Sequence, residues 1–148
     1  MEIMETNLQF AKNYTLRALE SIKRIILHHS GVSVLQDIET IHNYHKNSRG
    51  YAGIGYHFYV RKDGRIYKGR PIEWVGAHAY GSNSDSIGIC AEGDYDKEIM
   101  PQAQKEALIW LVNYLKDKYK TIQKVQGHRE VCQTSCPRNT LPIWRNSK

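Results

Sequence analysis

Long apolar runs are missing from this sequence of 148 residues. No stretch approaches the ~20 consecutive apolar residues that a membrane-spanning helix needs, so membrane insertion is not expected. The segment Met1–Lys23 mixes acidic and basic residues with apolar ones, and it lacks the short apolar core of a secretory signal. The sequence as it stands therefore predicts a protein that is cytoplasmic at synthesis.

Cysteine is scarce, and the three present are Cys90, Cys132 and Cys136. An odd number without a secretory signal argues against a disulfide framework. At least one of these thiols should therefore have another role, either chemical or as a small buried apolar side chain.

The formal net charge of +6 favours anionic partners in general. The basic residues are scattered along the chain, and we find no basic-aromatic repeat and no helix-turn-helix pattern. A solvated basic surface is thus a better interpretation than specific nucleic-acid binding, and no nucleic-acid partner is predicted. The sequence gives no basis for an oligomeric state.

Internal repeats, low-complexity stretches and linkers are also missing, which favours a single domain. The apolar run Arg24–His29 predicts a buried strand. Ser33, with Gln36 three residues later, predicts the start of a helix that ends near Lys46. Further elements are expected at these positions: strands over 55–61, 65–68, 86–91 and 124–126, with a turn at Asp63-Gly64, and a helix after Pro101 whose buried stripe is Ala107, Leu108, Leu111, Val112 and Leu115.

Three residues have the character of metal ligands. His28 and His128 each lie at a predicted strand end, and Cys136 lies in a loop next to Pro137. Two imidazoles and a thiolate suit zinc, and three protein ligands leave a fourth position open for water, as in catalytic sites. Taken singly, each could also be structural: a hydrogen-bonded histidine at a strand end or a small core cysteine. Spacing alone does not decide between these interpretations.

Several motifs, in order from about Ile25 to Trp144, resemble the type-2 N-acetylmuramoyl-L-alanine amidases, a family that includes phage amidase-type lysozymes and animal peptidoglycan recognition proteins. The matching segments are 25–30 (IILHHS), 42–58 (HNYHKNSRGYAGIGYHF), 62–64 (KDG), 76–79 (GAHA) with Asn83, 86–89 (SIGI), and 127–131 (GHREV) followed by Thr134, Cys136 and Pro137.

This resemblance implies that one zinc ion per chain is held by His28, His128 and Cys136. His28 is preferred to His29 because the family keeps the first position of this pair as the ligand. Neighbouring residues on a strand also point to opposite faces, so only one of them can serve. Tyr56 falls on the family's catalytic tyrosine, and a phenol is better suited to donating a hydrogen bond to a developing oxyanion than to acting as a base.

Thr134 stands where phage members of the family carry lysine and animal amidases commonly carry threonine. The resemblance gives it a catalytic role as a neutral hydroxyl that orients the carbonyl oxygen. His78 and Asn83 match a loop beside the cleft, where substrate binding is implied for both. His42, His45 and His57 are expected to be structural.

The predicted fold is therefore α/β: a single domain with a central mixed β-sheet flanked by helices and a zinc cleft on one face. Residues 1–24 would be an N-terminal extension of the same domain, and residues 25–148 the amidase catalytic domain. The implied partner is peptidoglycan or its muropeptides, and the implied reaction is hydrolysis of the bond between N-acetylmuramic acid and L-alanine. A phage or prophage endolysin and a wall-lytic bacterial amidase fit first. A non-catalytic muropeptide-binding module and a cytoplasmic wall-recycling amidase are the alternatives.

Overall fold

A six-stranded mixed sheet forms the centre of the computed structural model, which describes residues 1–130. The strands are β1 (Ile3–Met4), β2 (Arg24–His29), β3 (Phe58–Val60), β4 (Ile66–Lys68), β5 (Ser86–Ala91) and β6 (Lys124–Gly127). Their order across the sheet is β1-β4-β3-β5-β2-β6, and within it the β3-β4 pair is antiparallel while the other neighbours run parallel. The predicted α/β class with a mixed sheet is confirmed.

Within residues 1–130, two helices flank the sheet, α1 (Ile38–Asn47) and α2 (Gln102–Lys118), and two short 3-10 turns occupy Leu19–Ser21 and His128–Glu130. Neither helix of the described range 1–130 is long and apolar enough to cross a membrane. The sheet separates two apolar clusters, because alternate residues of a strand face opposite sides. Phe58 and Val60 pack in the cluster that includes α2, whereas Tyr59 packs in the cluster that includes α1.

The buried strand β2 lies between β5 and β6 and pairs parallel with both. Its run of Ile25, Ile26 and Leu27 is almost completely inaccessible to solvent, as expected for a strand that is covered on both faces. The predicted stripe of α2 is equally well buried, with Ala107, Leu108, Leu111, Val112 and Leu115 all in the core.

The predicted start of the first helix at Ser33 is wrong. Asp37 is the N-cap of α1, and its carboxylate accepts the backbone N–H of Thr40 at 2.9 Å. Gln36, the residue before this cap, is held outside the helix by other contacts. It donates its backbone N–H to Glu92, and its backbone oxygen accepts a hydrogen bond from the Tyr59 hydroxyl. Leu35, which a helix starting at Ser33 would contain, is 71% exposed.

The strand expected over 55–61 is limited to Phe58–Val60. Gly55 approaches another loop so closely that an added Cβ would lie 2.1 Å from the carbonyl oxygen of Ala77. The segment before β3 is therefore a loop that packs against the loop of Ala77. Tyr56 belongs to this segment and lies outside the sheet.

The residues before β2, predicted as an N-terminal extension, make specific contacts. Ile3 and Met4 form an edge strand on β4, and Leu16 forms a bridge with Trp74. The Arg17 guanidinium donates to the backbone oxygens of Ile72, Asn83, Ser84 and Ser86. Such side chain to backbone contacts carry no periodic signal, so the sequence pattern did not predict them.

Candidate active site

His28 and His128 lie together at the carboxyl edge of the sheet. Residues Leu27 and Gly127 are register partners in the parallel pair of β2 and β6, so the next residue of each strand emerges at the same edge. The two imidazole rings are 4.4 Å apart, centroid to centroid, and His28 is only 2% exposed. The fold thus brings together two side chains that the sequence predicts to be metal ligands.

Both rings are held in the neutral form that a metal ligand requires. Burial, followed by repulsion from His128 and His29, sets the pKa of His28 well below its usual value. Burial also lowers the pKa of His128. Two neutral imidazoles at contact distance fit a zinc ion, whose usual donors are imidazole nitrogen and thiolate sulfur. The predicted third ligand, Cys136, and the predicted catalytic Thr134 lie outside the described residues.

Tyr56 stands beside this pair. Its ring centroid lies 5.0 Å from that of His28 and 6.5 Å from that of His78. The side chain is half-buried and lines the cleft, where a ligand can reach it. The predicted catalytic tyrosine is therefore adjacent to the predicted metal ligands.

His78 and Asn83 belong to one loop that closes over the same edge. The Asn83 side-chain oxygen accepts the backbone N–H groups of His78 at 2.9 Å and of Ala79 at 2.8 Å, which fixes the shape of the loop. His78 is only 8% exposed, and its Nδ1 lies 2.9 Å from Nε2 of His28. Both residues line the cleft, but most of the His78 ring faces protein.

Two adjoining hollows of about 450 and 510 Å³ form the cleft, and they share His45, Arg49 and Tyr56. Asn83, His78 and His128 line the first hollow, whereas Cys90 and Tyr44 line the second. The shared residues therefore lie where the two branches of the cleft meet. A ligand with two arms would place its junction next to Tyr56.

His45 and Arg49 are cleft residues that the sequence analysis missed. His45 was expected to be structural, and its Nδ1 does accept the backbone N–H of Gly55 at 2.9 Å. The other ring nitrogen of a neutral imidazole then carries a proton that it can donate to a ligand. Burial, with the charges of Arg49 and Arg70, lowers the pKa of His45 to about 4, so the ring is neutral near pH 7.

Arg49 is exposed, and its guanidinium carbon lies 5.6 Å above the centre of the Tyr44 ring. A signal for it existed in the sequence, since Arg49 falls inside the segment 42–58 that carries the family resemblance. It places a positive charge at the junction of the two branches, which suits an anionic group of a ligand.

His42 and His57, which are also expected to be structural, accept hydrogen bonds from backbone N–H groups. Nδ1 of His42 accepts the N–H of Ile54, and Nδ1 of His57 accepts the N–H of Gly88, each at 3.0 Å. These contacts tie α1 and β5 to the loop that carries Tyr56.

A second group that could hold a metal ion lies on the other face of β2, where candidate ligand atoms of His29, Asp94 and Asp96 are within 4.8 Å of one another. Nδ1 of His29 accepts the backbone N–H of Tyr95 at 3.0 Å. The neutral ring therefore has its proton on Nε2, where it suits a carboxylate acceptor better than a cation. This group is separate from the cleft of Tyr56.

Comparison with known proteins gives a consistent result. The endolysin of Klebsiella phage KP32 is 33% identical over 132 residues, which cover 84% of this chain and 86% of that protein. Peptidoglycan-recognition protein SC2 of Drosophila melanogaster is 32% identical over 136 residues, which cover 83% of this chain and 74% of that protein.

Solved structures agree. N-acetylmuramoyl-L-alanine amidase LysC from Clostridium intestinale superposes with a TM-score of 0.88 at 37% identity, over 99% of this chain and 97% of its own. A mutant of Drosophila PGRP-LB in complex with tracheal cytotoxin superposes with a TM-score of 0.82 at 28% identity, over 91% and 87% of the two chains. The profile of the N-acetylmuramoyl-L-alanine amidase family matches residues 18–139, and this chain belongs to that family.

Proposed function

We propose that this chain is a zinc-dependent hydrolase that cleaves the amide bond between N-acetylmuramic acid and L-alanine in peptidoglycan. The observation that carries the proposal is the meeting of His28, His128 and Tyr56 at the open cleft, where the ring centroids of His128 and Tyr56 lie 4.4 and 5.0 Å from that of His28. Such a grouping is typical of metal-assisted amide hydrolysis.

The proposed zinc ligands are His28, His128 and Cys136. Zinc, when bound, supplies Lewis acidity towards a carbonyl group and water. Burial of His28 excludes water from one side of the pair, so that charge developing there is poorly screened. The remaining residues bind the substrate and complement charge in the transition state.

Tyr56 donates its phenol proton as a hydrogen bond to the oxygen of the scissile amide as negative charge develops on it. Its place beside His28 and at the junction of the two branches supports this role. Thr134, two residues before Cys136, is proposed to orient the same carbonyl through its hydroxyl. It supplies no positive charge, in contrast to the lysine that phage members carry.

The branched cleft suits a substrate with two arms, a sugar on one side of the amide and a peptide on the other. His45 and Arg49, at the junction, are proposed to contact the substrate close to the scissile bond. Asn83 and the exposed Tyr80 rim one branch, where they are proposed to contact the substrate as well.

The proposed setting is cell-wall lysis, in which the protein acts on peptidoglycan as phage endolysins do. Trimming of wall fragments inside the cell would use the same chemistry on smaller muropeptides.

Mass spectrometry of the products tests the reaction directly. Purified peptidoglycan digested by the protein should release stem peptides with a free L-alanine amino group and leave glycan strands that keep their lactyl carboxylates. Muropeptide binding without either product, by a folded and zinc-loaded protein, would instead establish the non-catalytic binding module.

A further inference from the structure

A chain of three hydrogen bonds runs inward from His28. Nε2 of His28 lies 2.9 Å from Nδ1 of His78, and Nε2 of His78 lies 3.3 Å from Oγ of Ser86. Oγ of Ser86 donates to the backbone oxygen of Ser82 at 2.7 Å. His28, His78 and Ser86 are all buried, so these contacts are not shared with bulk solvent.

The last bond fixes the direction of the whole chain. A carbonyl oxygen only accepts hydrogen bonds, so the Ser86 hydroxyl donates its single proton to the backbone oxygen of Ser82. It can then only accept a hydrogen bond from His78. Nε2 of His78 must therefore carry a proton, and in a neutral ring Nδ1 is then an acceptor. Nε2 of His28 must donate to that acceptor, which leaves the lone pair of His28 on Nδ1.

From this we infer that His78 is a positioning residue for zinc: it holds His28 in the tautomer and orientation that present Nδ1 to the metal. The inference rests on the proposed function, because it concerns how a proposed zinc ligand is prepared. Hydrogen bonds to the second nitrogen of a ligating histidine generally fix its tautomer and raise metal affinity. Here a histidine and a serine take the place of the carboxylate or carbonyl that usually accepts this bond.

Two glycines make room for the His78 ring. A Cβ added at Gly88 would lie 2.6 Å from Cγ and Cδ2 of His78, and a Cβ added at Gly76 would lie 2.6 Å from Cδ2. Neither glycine has the positive φ that would by itself require the residue. Glycine is needed at both positions because the His78 ring occupies the space of a Cβ. The gap between the two glycines sets the plane of the imidazole.

The loop that carries His78 is fixed by the same short segment. Asn83 accepts the backbone N–H groups of His78 and Ala79, and Ser82 donates its own N–H to the backbone oxygen of Ala79 at 2.8 Å. The backbone oxygen that ends the hydrogen-bond chain therefore belongs to a closed turn. The orientation of His28 is thus built into residues 78–86 and does not wait for substrate.

Long-range ¹H–¹⁵N spectra of the unmodified, metal-free protein test the tautomers without any substitution. The expected result is a proton on Nε2 of His28 and on Nε2 of His78. A proton on Nδ1 of His28 would overturn the inference, whether or not the protein binds zinc. In His78→Phe the signals of His28 should become those of a tautomer mixture.

Zinc affinity, measured by competition with a chromophoric chelator, is the second test. His78→Phe keeps an aromatic ring but loses the acceptor, and we expect affinity to fall about 10–100-fold. His78→Asn, which restores an acceptor near the position of Nδ1, should recover most of the loss. Gly88→Ala, which displaces the ring, should resemble His78→Phe.

His42→Asn is the matched control, because His42 is also buried and its Nδ1 also accepts a hydrogen bond, yet the donor is the backbone N–H of Ile54 and the ring packs on Phe10 rather than on His28. It should lower thermal stability and leave zinc affinity unchanged. Unchanged affinity in a folded His78→Phe protein would overturn the inference alone. A parent protein that binds no zinc would instead overturn the proposed function, and the tautomers would still decide whether the hydrogen-bond chain exists.

Discussion

His28 and His29 are neighbours in β2 whose rings have separate partners on opposite faces of the sheet. His28 contacts His78 and His128 at the cleft, whereas His29 accepts the backbone N–H of Tyr95 on the side of α2. The alternation of side chains along a strand produces this separation. It also provides a matched pair of substitutions one residue apart.

We predict that His28→Ala removes zinc and amide hydrolysis, because the protein would lose one of the three proposed ligands. His29→Asn should keep both, with a loss of stability of about 1 kcal/mol for the altered hydrogen bond. Cys136→Ser should behave like His28→Ala, with the fold largely retained. Elemental analysis and circular dichroism of the variants check this, and full activity in Cys136→Ser would contradict the assignment of zinc ligands.

Substitution of Tyr56 should affect turnover rather than binding. Tyr56→Phe removes one donor to the developing oxyanion, and loss of such a donor typically lowers kcat about 100–1,000-fold. Zinc content and KM should stay close to those of the parent protein. Steady-state kinetics on a defined muropeptide measure both constants.

Tyr59→Phe is the comparison for that experiment. Its hydroxyl donates to the backbone oxygen of Gln36 at 2.9 Å, on a side chain fully buried in the α1 cluster. This variant should unfold at a lower temperature, because loss of the hydrogen bond lowers the free energy of unfolding by about 1 kcal/mol. Its kcat should equal that of the parent protein. Equal kcat for Tyr56→Phe and the parent would exclude the phenol from the reaction.

Arg49 should contribute to substrate affinity. Its guanidinium lies at the junction of the two cleft branches, and stem peptides carry carboxylates that it can attract. Arg49→Gln should raise KM roughly tenfold, and the difference should shrink as salt is added. Arg65→Gln is the control, since Arg65 pairs with Asp63 at an exposed turn. Equal KM values for both variants would remove Arg49 from substrate binding.

Acid stability should depend on Glu92, whose side chain is 1% exposed and accepts hydrogen bonds from Arg61 and from the backbone N–H groups of Gln36 and Lys62. Burial alone would raise the pKa of Glu92, but these bonds outweigh it and hold the pKa below its usual value. A depressed folded pKa means that the carboxylate stabilises the fold above the unfolded pKa of about 4.3. That stabilisation is lost as pH falls through the folded value.

Glu92→Gln should therefore lower the free energy of unfolding by roughly 3 kcal/mol near neutral pH, and this difference from the parent protein should diminish below pH ~4. Urea unfolding at several pH values measures this dependence. A pH-independent difference between parent and variant would show that the charge of Glu92 is not what stabilises the fold.

The sequence predicted those parts of the fold that local patterns specify. The continuous apolar run Ile25–Leu27 predicts a strand that is covered on both faces, and the periodic stripe Ala107–Leu115 predicts a helix that is buried on one face. Gly64, at φ 91°, supplies the turn between β3 and β4. The family motifs also predict the residues brought together at the cleft, because they mark His28, Tyr56 and His128 in order.

Other features depend on contacts between distant segments and leave no local signal. The carboxylate of Glu92 accepts the N–H of Gln36 and so keeps Gln36 out of α1, whose N-cap is Asp37. The edge strand Ile3–Met4 is formed by pairing with β4, which lies some sixty residues further along the chain. The role of His78 follows from three hydrogen bonds across the fold, whereas the motif suggested only a substrate contact.

The central claim, zinc-dependent cleavage by this site, is tested most directly by measuring zinc content and amide hydrolysis on the same preparation. We predict close to one zinc per chain, loss of L-alanine amino-group release after chelation, and recovery of release when one equivalent of zinc is restored. Release of the same amino groups by a folded, zinc-free protein would contradict the account.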